Sequence, residues 1–267
     1  MGHLFFALGF AVIGAIGIAV QGFVLNQQPV PKDIPWRETL ACLSGAVLLL
    51  AGIGSLVTRT ARISALILSG YLFLWVLVLQ LPRVVAHPDV EVYWLGLGED
   101  LSLATGGWLI YCAIAGRNDV SVHAARIAFG IALVPIGLSH FFYLKLAASF
   151  IPSWLPFHVP LTMLTGAGHI AAGVAIALGV VPRLAAALEA MMESLITLIV
   201  WISAVAAAPA SREDWVNLCI STAITGAAWA VSESLGNPSI MLPSREGRNS
   251  LRTQREANFG EGDASVN

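Results

Sequence analysis

Four ionisable side chains interrupt otherwise apolar stretches of the sequence: His140, His169, Glu189 and Glu193. Each lies in a run long enough to cross a bilayer, where an ionisable group at mid-depth costs at least about 2.5–3.5 kcal/mol on insertion scales. Each is therefore expected to face the protein interior and to have a partner. Glu189 and Glu193 are four residues apart and share one helix face. Two carboxylates at that spacing in a low-dielectric interior do not both stay ionised. With the span of His140 running outward, that residue falls in its outer third. His169, on the returning span, lies about 13 Å below the outer surface at 1.5 Å per residue, and Glu193 reaches a similar depth. The four residues read as a polar track that could relay protons or hold the head group of an apolar cofactor such as a quinone. They read more simply as a hydrogen-bonded knot that fixes helix packing, as interhelical polar pairs of about 0.6–2 kcal/mol do.

Other chemistries fit less well. Haem needs paired imidazoles facing across a bundle. Both histidines come from one helical hairpin at different depths, so haem is not expected. His140, His169 and Glu193 could ligate a metal chemically, but they show no ligand spacing, so no metal is expected. Cys42, Cys112 and Cys219 sit singly in apolar runs and read as packing residues. The sequence contains no phosphate loop, nucleophile elbow or HExxH motif. Glu99 and Asp100 are expected to open a helix from the outer side, where the helix dipole favours carboxylates. Together with Lys145 they are candidates for the rim of an outer entrance.

The elements that position these residues follow from composition. Of the 267 residues 57% are hydrophobic and only 11% charged, against roughly a quarter charged in a soluble domain. The apolar runs approach the 20 residues or so that cross a hydrocarbon core of about 30 Å. Breaker to breaker, they predict eight spans near 4–24, 39–58, 62–82, 95–115, 125–146, 160–181, 183–204 and 215–234. The first run lacks a basic leader and a cleavage site and is expected to remain as span one. The polar tail 236–267 is expected to be disordered and cytoplasmic. A net charge of -2 without a basic stripe excludes nucleic acid. On one side lie Arg59, Arg62, Arg117, Arg126, Arg183, Arg245, Arg248, Arg252 and Arg255; on the other lie Lys32, Arg37, Arg83, Lys145 and Arg212. That excess places both termini in the cytoplasm, and Trp36, Tyr93, Trp94, Trp154 and Trp215 form an aromatic belt on the opposite face.

Sliding the sequence on itself by 121 residues aligns VPKDIPW (30–36) with IPSWLPF (151–157), Gly45 and Gly52 with Gly166 and Gly173, Arg62 with Arg183, Trp94 with Trp215, and Trp108 with Trp229. This predicts an all-α membrane protein of two parallel four-helix repeats, 1–120 and 121–235, related by a pseudo-two-fold along the membrane normal. The paired glycines seven residues apart are expected to let helix backbones approach closely. Leu48 and Ala19 stand where the second copy has His169 and His140, so the first copy is expected to be an apolar scaffold.

The second copy carries Gly137, His140 and Phe141 at the end of span five, then an Ile151-Pro152-x-Trp154-Leu155-Pro156 loop. Gly166, His169 and Gly173 follow on span six, and Pro182-Arg183 opens span seven. In these features it resembles the DoxX-like family of four-helix membrane proteins. That family usually has a glutamate where this chain has His169. The resemblance implies an accessory or partner subunit of a membrane redox system, without catalysis of its own, in a bacterial inner membrane. Its partners would be the bilayer and other redox subunits or further copies of itself. A carrier of a small or lipophilic solute and an enzyme acting on a membrane-soluble substrate stay open as alternatives.

Overall fold

In the computed structural model, residues 2–24 and 26–236 are described, and no strand occurs among them. Eight long helices follow one another along these residues: α1 Gly2–Ala19, α2 Arg37–Leu56, α3 Ala61–Ala86, α4 Glu91–Ala115, α5 Val120–Phe142, α6 His158–Leu178, α7 Pro182–Ala207 and α8 Arg212–Leu235. Seven of them, all but α4, are long and apolar enough to cross a membrane. The chain is a polytopic membrane protein, built from the one open element that satisfies its own backbone in lipid. The 25-residue α4 falls outside the seven because Glu91, Glu99 and Asp100 lower its hydropathy, while 13 of its residues are buried against protein.

Local sequence explains the ends. Gly116 and Gly179 close α4 and α6 with φ of 65° and 72°, the left-handed termination that glycine adopts without strain. Pro182 stands in the first turn of α7, where its missing N–H costs nothing. Asp119 caps α5 by accepting from the Ser121 N–H. Trp36 and Phe157 precede α2 and α6 with left-handed φ of 53° and 64°. α3 and α7 each contain a five-residue π-helical stretch, Val76–Gln80 and Thr197–Trp201. Trp94 and Trp215 each bond a proline carbonyl at the preceding turn, Pro88 O at 2.9 Å and Pro209 O at 3.0 Å.

Several boundaries depart from the sequence expectation. α1 stops at Ala19 rather than near 24, because Gln21 turns left-handed and Gly22 N bonds back to Gly17 O. α4 begins at Glu91 rather than 95, and α7 continues to Ala207. α5 ends at Phe142; Tyr143 breaks it, and Lys145 lies on a separate short helix, Leu144–Ser149, rather than at the end of α5. The tail expected to be disordered lies, beyond Gly236, outside the described residues.

Glycines set the packing. A Cβ on Gly52 would lie 2.6 Å from Ala11 N and one on Gly45 2.8 Å from Gly14 O, so α1 and α2 run backbone to backbone. Gly130 and Gly137 meet Gly173 and Gly166 in the same way, which joins α5 to α6. Gly98 brings α4 onto α5 at Ala132 O, and Gly9 brings α1 onto α8 at Cys219 O, both at 2.7 Å from an added Cβ. Gly106 of α4 packs against Ala227 of α8. Small residues at such crossings are how helices associate where lipid removes the hydrophobic incentive.

Candidate functional site

The close α5–α6 crossing builds the site. A Cβ on Gly166 would lie 2.7 Å from the Cβ of His140, and one on Gly137 would lie 3.0 Å from the Cβ of His169. Glycine at both positions therefore lets the two histidine-bearing backbones approach. The imidazole centroids are 5.3 Å apart at 47°. Nδ1 of His140 lies 3.0 Å from Ile136 O, so it carries the proton and leaves Nε2 as an acceptor.

His169 is 1% exposed and addresses both carboxylates of α7 with different ring nitrogens. Nδ1 stands 2.8 Å from Glu189 Oε1, and Nε2 stands 3.8 Å from Glu193 Oε1. The i, i+4 spacing puts the carboxylates on one face of α7, and that face turns inward: Glu189 is 1% and Glu193 5% exposed. One ligand-type atom from each of His169, Glu189 and Glu193 lies within 4.8 Å of the other two. The sequence pointed to His140 rather than Glu189 as the third member of such a set. The second oxygen of Glu189, Oε2, is buried without a hydrogen-bond partner.

His140, His169 and Glu193 line a cavity of about 230 Å³. Glu99, Gln27 and Asn217 also line it, and Glu99 accepts a 2.7 Å bond from Gln27 Nε2. Glu99 and Asp100 do not open α4. The helix starts at Glu91, two turns earlier, which carries Glu99 to the cavity and leaves Asp100 fully buried. Gln80 Nε2 donates to Asp100 Oδ2 at 2.9 Å and also lies near the carbonyls of Asn26 and Gln27. Lys145 is exposed and does not line the cavity. Residues 1–120, expected as an apolar scaffold, thus supply polar groups of their own. Gln27 and Gln80 carry no signal in the sequence, because neutral amides do not interrupt an apolar run as charges do; Gln27 also falls beyond the end of α1.

A second hollow, of about 460 Å³, is walled by leucines, isoleucines and methionines of α6 and α7 together with the short helix. His140, Ala147, Phe150, Ile196 and Trp201 line both spaces. A larger hollow of about 640 Å³ between α4, α5 and α6 is almost wholly apolar and contains none of the four polar-track residues. Behind Glu193, Thr197 Oγ1 bonds the Glu193 carbonyl at 2.9 Å and meets Ser221 Oγ at 2.7 Å and Thr225 Oγ1 at 3.0 Å. These contacts tie the start of the π-helical stretch in α7 to α8. In the first half, the residues 121 positions before His169, Glu189 and Glu193 are Leu48, Leu68 and Leu72, at most 1% exposed.

Residues 121–202 match the DoxX family model, so the stretch carrying all four polar-track residues is DoxX-like. Neither the curated proteins nor the solved structures contain a match to the chain.

Proposed function

We propose that this DoxX-like chain is a ligand-binding partner subunit of a membrane redox system. In this reading its cavity takes the head group of a quinone-class molecule and the adjoining apolar hollow takes the tail. The observation that carries the reading is His140, whose side chain lines both spaces. A pocket for a lipophilic ligand is mostly apolar with a few convergent polar groups that fix orientation. Here Nε2 of His140 can accept from a quinol hydroxyl, and the amide of Asn217 can donate to a quinone carbonyl. Glu99 and Glu193 are further polar neighbours for a two-ended ring. Purification in mild detergent, lipid extraction and mass spectrometry should recover bound quinone or quinol. Titration with a short-chain quinone should saturate, and His140→Leu should weaken binding by about tenfold, equivalent to about 1.4 kcal/mol for one lost neutral hydrogen bond. A protein that carries no quinone and does not bind the short-chain form would rule the reading out.

The same proposal takes 1–120 and 121–235 as parallel four-helix copies, with α4 as an eighth span and both termini in the cytoplasm of a bacterial inner membrane. At 25 residues α4 is about 37 Å long, enough to cross. Its polar composition fits a span surrounded by protein. Four features recur at a distance of 121 residues: the π-helical stretches, the left-handed Trp36 and Phe157, the indole bonds of Trp94 and Trp215, and the pair Gly106 and Ala227. In the last case a residue packs against its own equivalent, as happens on a two-fold axis.

A carrier is the second reading, favoured by π-helical interruptions at equivalent positions of α3 and α7. Paired irregular helices near a polar cavity are a feature of alternating-access proteins. Gradient-dependent solute flux in liposomes separates carriage from binding.

A further inference from the structure

We infer that His169, Glu189 and Glu193 form a mononuclear site for a divalent first-row transition-metal ion. The site adjoins the cavity but does not depend on what fills it. Bonds of about 2.0–2.2 Å to imidazole nitrogen and carboxylate oxygen place ligand atoms at most about 4.4 Å apart. The three atoms here lie within 4.8 Å of one another, a gap that small side-chain rotations close.

Charge gives the first independent reason. Two carboxylates facing one imidazole in a dry interior carry surplus negative charge unless one of them holds a proton, and an uncompensated buried charge is costly; a cation can take that proton's place. A divalent cation with a neutral imidazole brings the cluster to zero and acts as the dominant local charge. A second reason is the unfilled valence at Glu189 Oε2, which belongs to a side chain 1% exposed and has no partner. A third comes from the first half of the chain. Leu48, Leu68 and Leu72 occupy the positions 121 residues earlier and are completely packed, so helices of this kind do not need a polar trio there in order to fit together.

The surroundings supply the rest of a coordination shell. His169 and Glu193 face the cavity, which leaves a side of the ion open to water or an exogenous ligand. The imidazole of His140, 5.3 Å from that of His169, stands beside the cluster. One nitrogen with two carboxylate oxygens suits Zn²⁺, Fe²⁺ or Mn²⁺ better than a thiolate-seeking ion such as Cu⁺.

The test uses the full chain with a histidine-free affinity tag, expressed with Mn, Fe and Zn supplements. Metal content is measured by plasma mass spectrometry before and after chelation and after reloading with Zn²⁺ or Co²⁺. The site predicts about one ion per chain, restored on reloading, with visible d–d bands for Co²⁺. The triple variant His169→Leu, Glu189→Leu, Glu193→Leu copies the packing of the first half and should lose at least tenfold of the bound metal at unchanged helix content and elution volume. If that variant does not fold, Glu189→Gln keeps the volume and should weaken Zn²⁺ binding at least tenfold. A native protein that stays well below one ion per chain under supplementation and reloading overturns the site. So does equal metal in a folded triple variant or unaltered Zn²⁺ affinity in Glu189→Gln. Quinone binding is read in a separate titration, so the two proposals fail independently.

Discussion

Asp119 caps α5 while bonded to its neighbours: its carboxylate accepts from the Ser121 hydroxyl and N–H and from Arg117. The Ser121 hydroxyl and then Arg117 hold its pKa at about 2, below the ordinary 3.8. A group whose folded pKa is depressed stabilises the fold above its unfolded pKa and loses that contribution as pH falls through the folded value. The cap should therefore act fully above about pH 4 and fade toward pH 2. Asp119→Ala should lower the Tm in detergent at pH 7, and the difference from native should shrink as pH drops from 4 to 2; an equal difference at pH 7 and pH 2 refutes this cap. The capping carboxylate is exposed, so its effect on the polar cluster is only through the position of α5. At the same scale, the four cluster residues were legible because an ionisable group inside an apolar run is too costly to leave facing lipid. Their pairing was not fully legible. Spacing along α7 put Glu189 and Glu193 on one face, but that His169 rather than His140 reaches both depends on the rotation of α6 against α7. Glu99 was misplaced because strong hydrophobicity begins only after the helix does, whereas backbone hydrogen bonding runs back to Glu91.

At the scale of elements, the helices approach one another closely where glycines let backbones meet. Gly106 faces Ala227 across the α4–α8 crossing, and an added Cβ has no room there. Gly70, on the exposed side of α3, has nothing within 4 Å. Gly106→Ala should cost about 1–3 kcal/mol by overpacking, whereas Gly70→Ala should be neutral or gain up to about 1 kcal/mol from helix propensity. Thermal unfolding of the two variants in one detergent checks the contrast; similar Tm values for both would show that the α4–α8 crossing is loose. The glycine pairs 45/52 and 166/173 were readable as helix-approach positions from their seven-residue spacing. Gly106 was not, since its neighbour comes from α8 and is distant in sequence. The π-helical stretches also left no mark in the sequence: Val76–Gln80 and Thr197–Trp201 contain no glycine or proline. The contacts of Thr197 with its own helix and with two hydroxyls of α8 hold the second stretch in place, and the α8 partners too are distant in sequence.

At the scale of the molecule, the number of crossings decides how the cavity faces the membrane, and α4 decides the number. If α4 crosses, Asp89 and Arg117 at its two ends are on opposite sides, both termini share a side, and Ser153 lies with Asp89 away from them. If it does not cross, Asp89 and Arg117 share a side and the second half is inverted relative to the first. Inversion would undo the parallel relation of the two halves and bring the loop of Ser153 to the side of the N-terminus. Single cysteines at positions 89, 117 and 153, in a background with Cys42, Cys112 and Cys219 replaced by alanine, separate the cases with a membrane-impermeant maleimide. The lysine and arginine distribution and the length of α4 predict that Asp89→Cys and Ser153→Cys label on intact cells, while Arg117→Cys labels only after permeabilisation. Labelling of 89 and 117 but not 153 on intact cells would leave seven crossings. That result would also separate the site from the face on which the charge distribution puts it: His140 would approach the cytoplasm, and a quinone-class ligand would enter from the inner leaflet. The eight-crossing result keeps His140 in the outer third, so a quinone-class ligand reaching the cavity would enter from the outer leaflet.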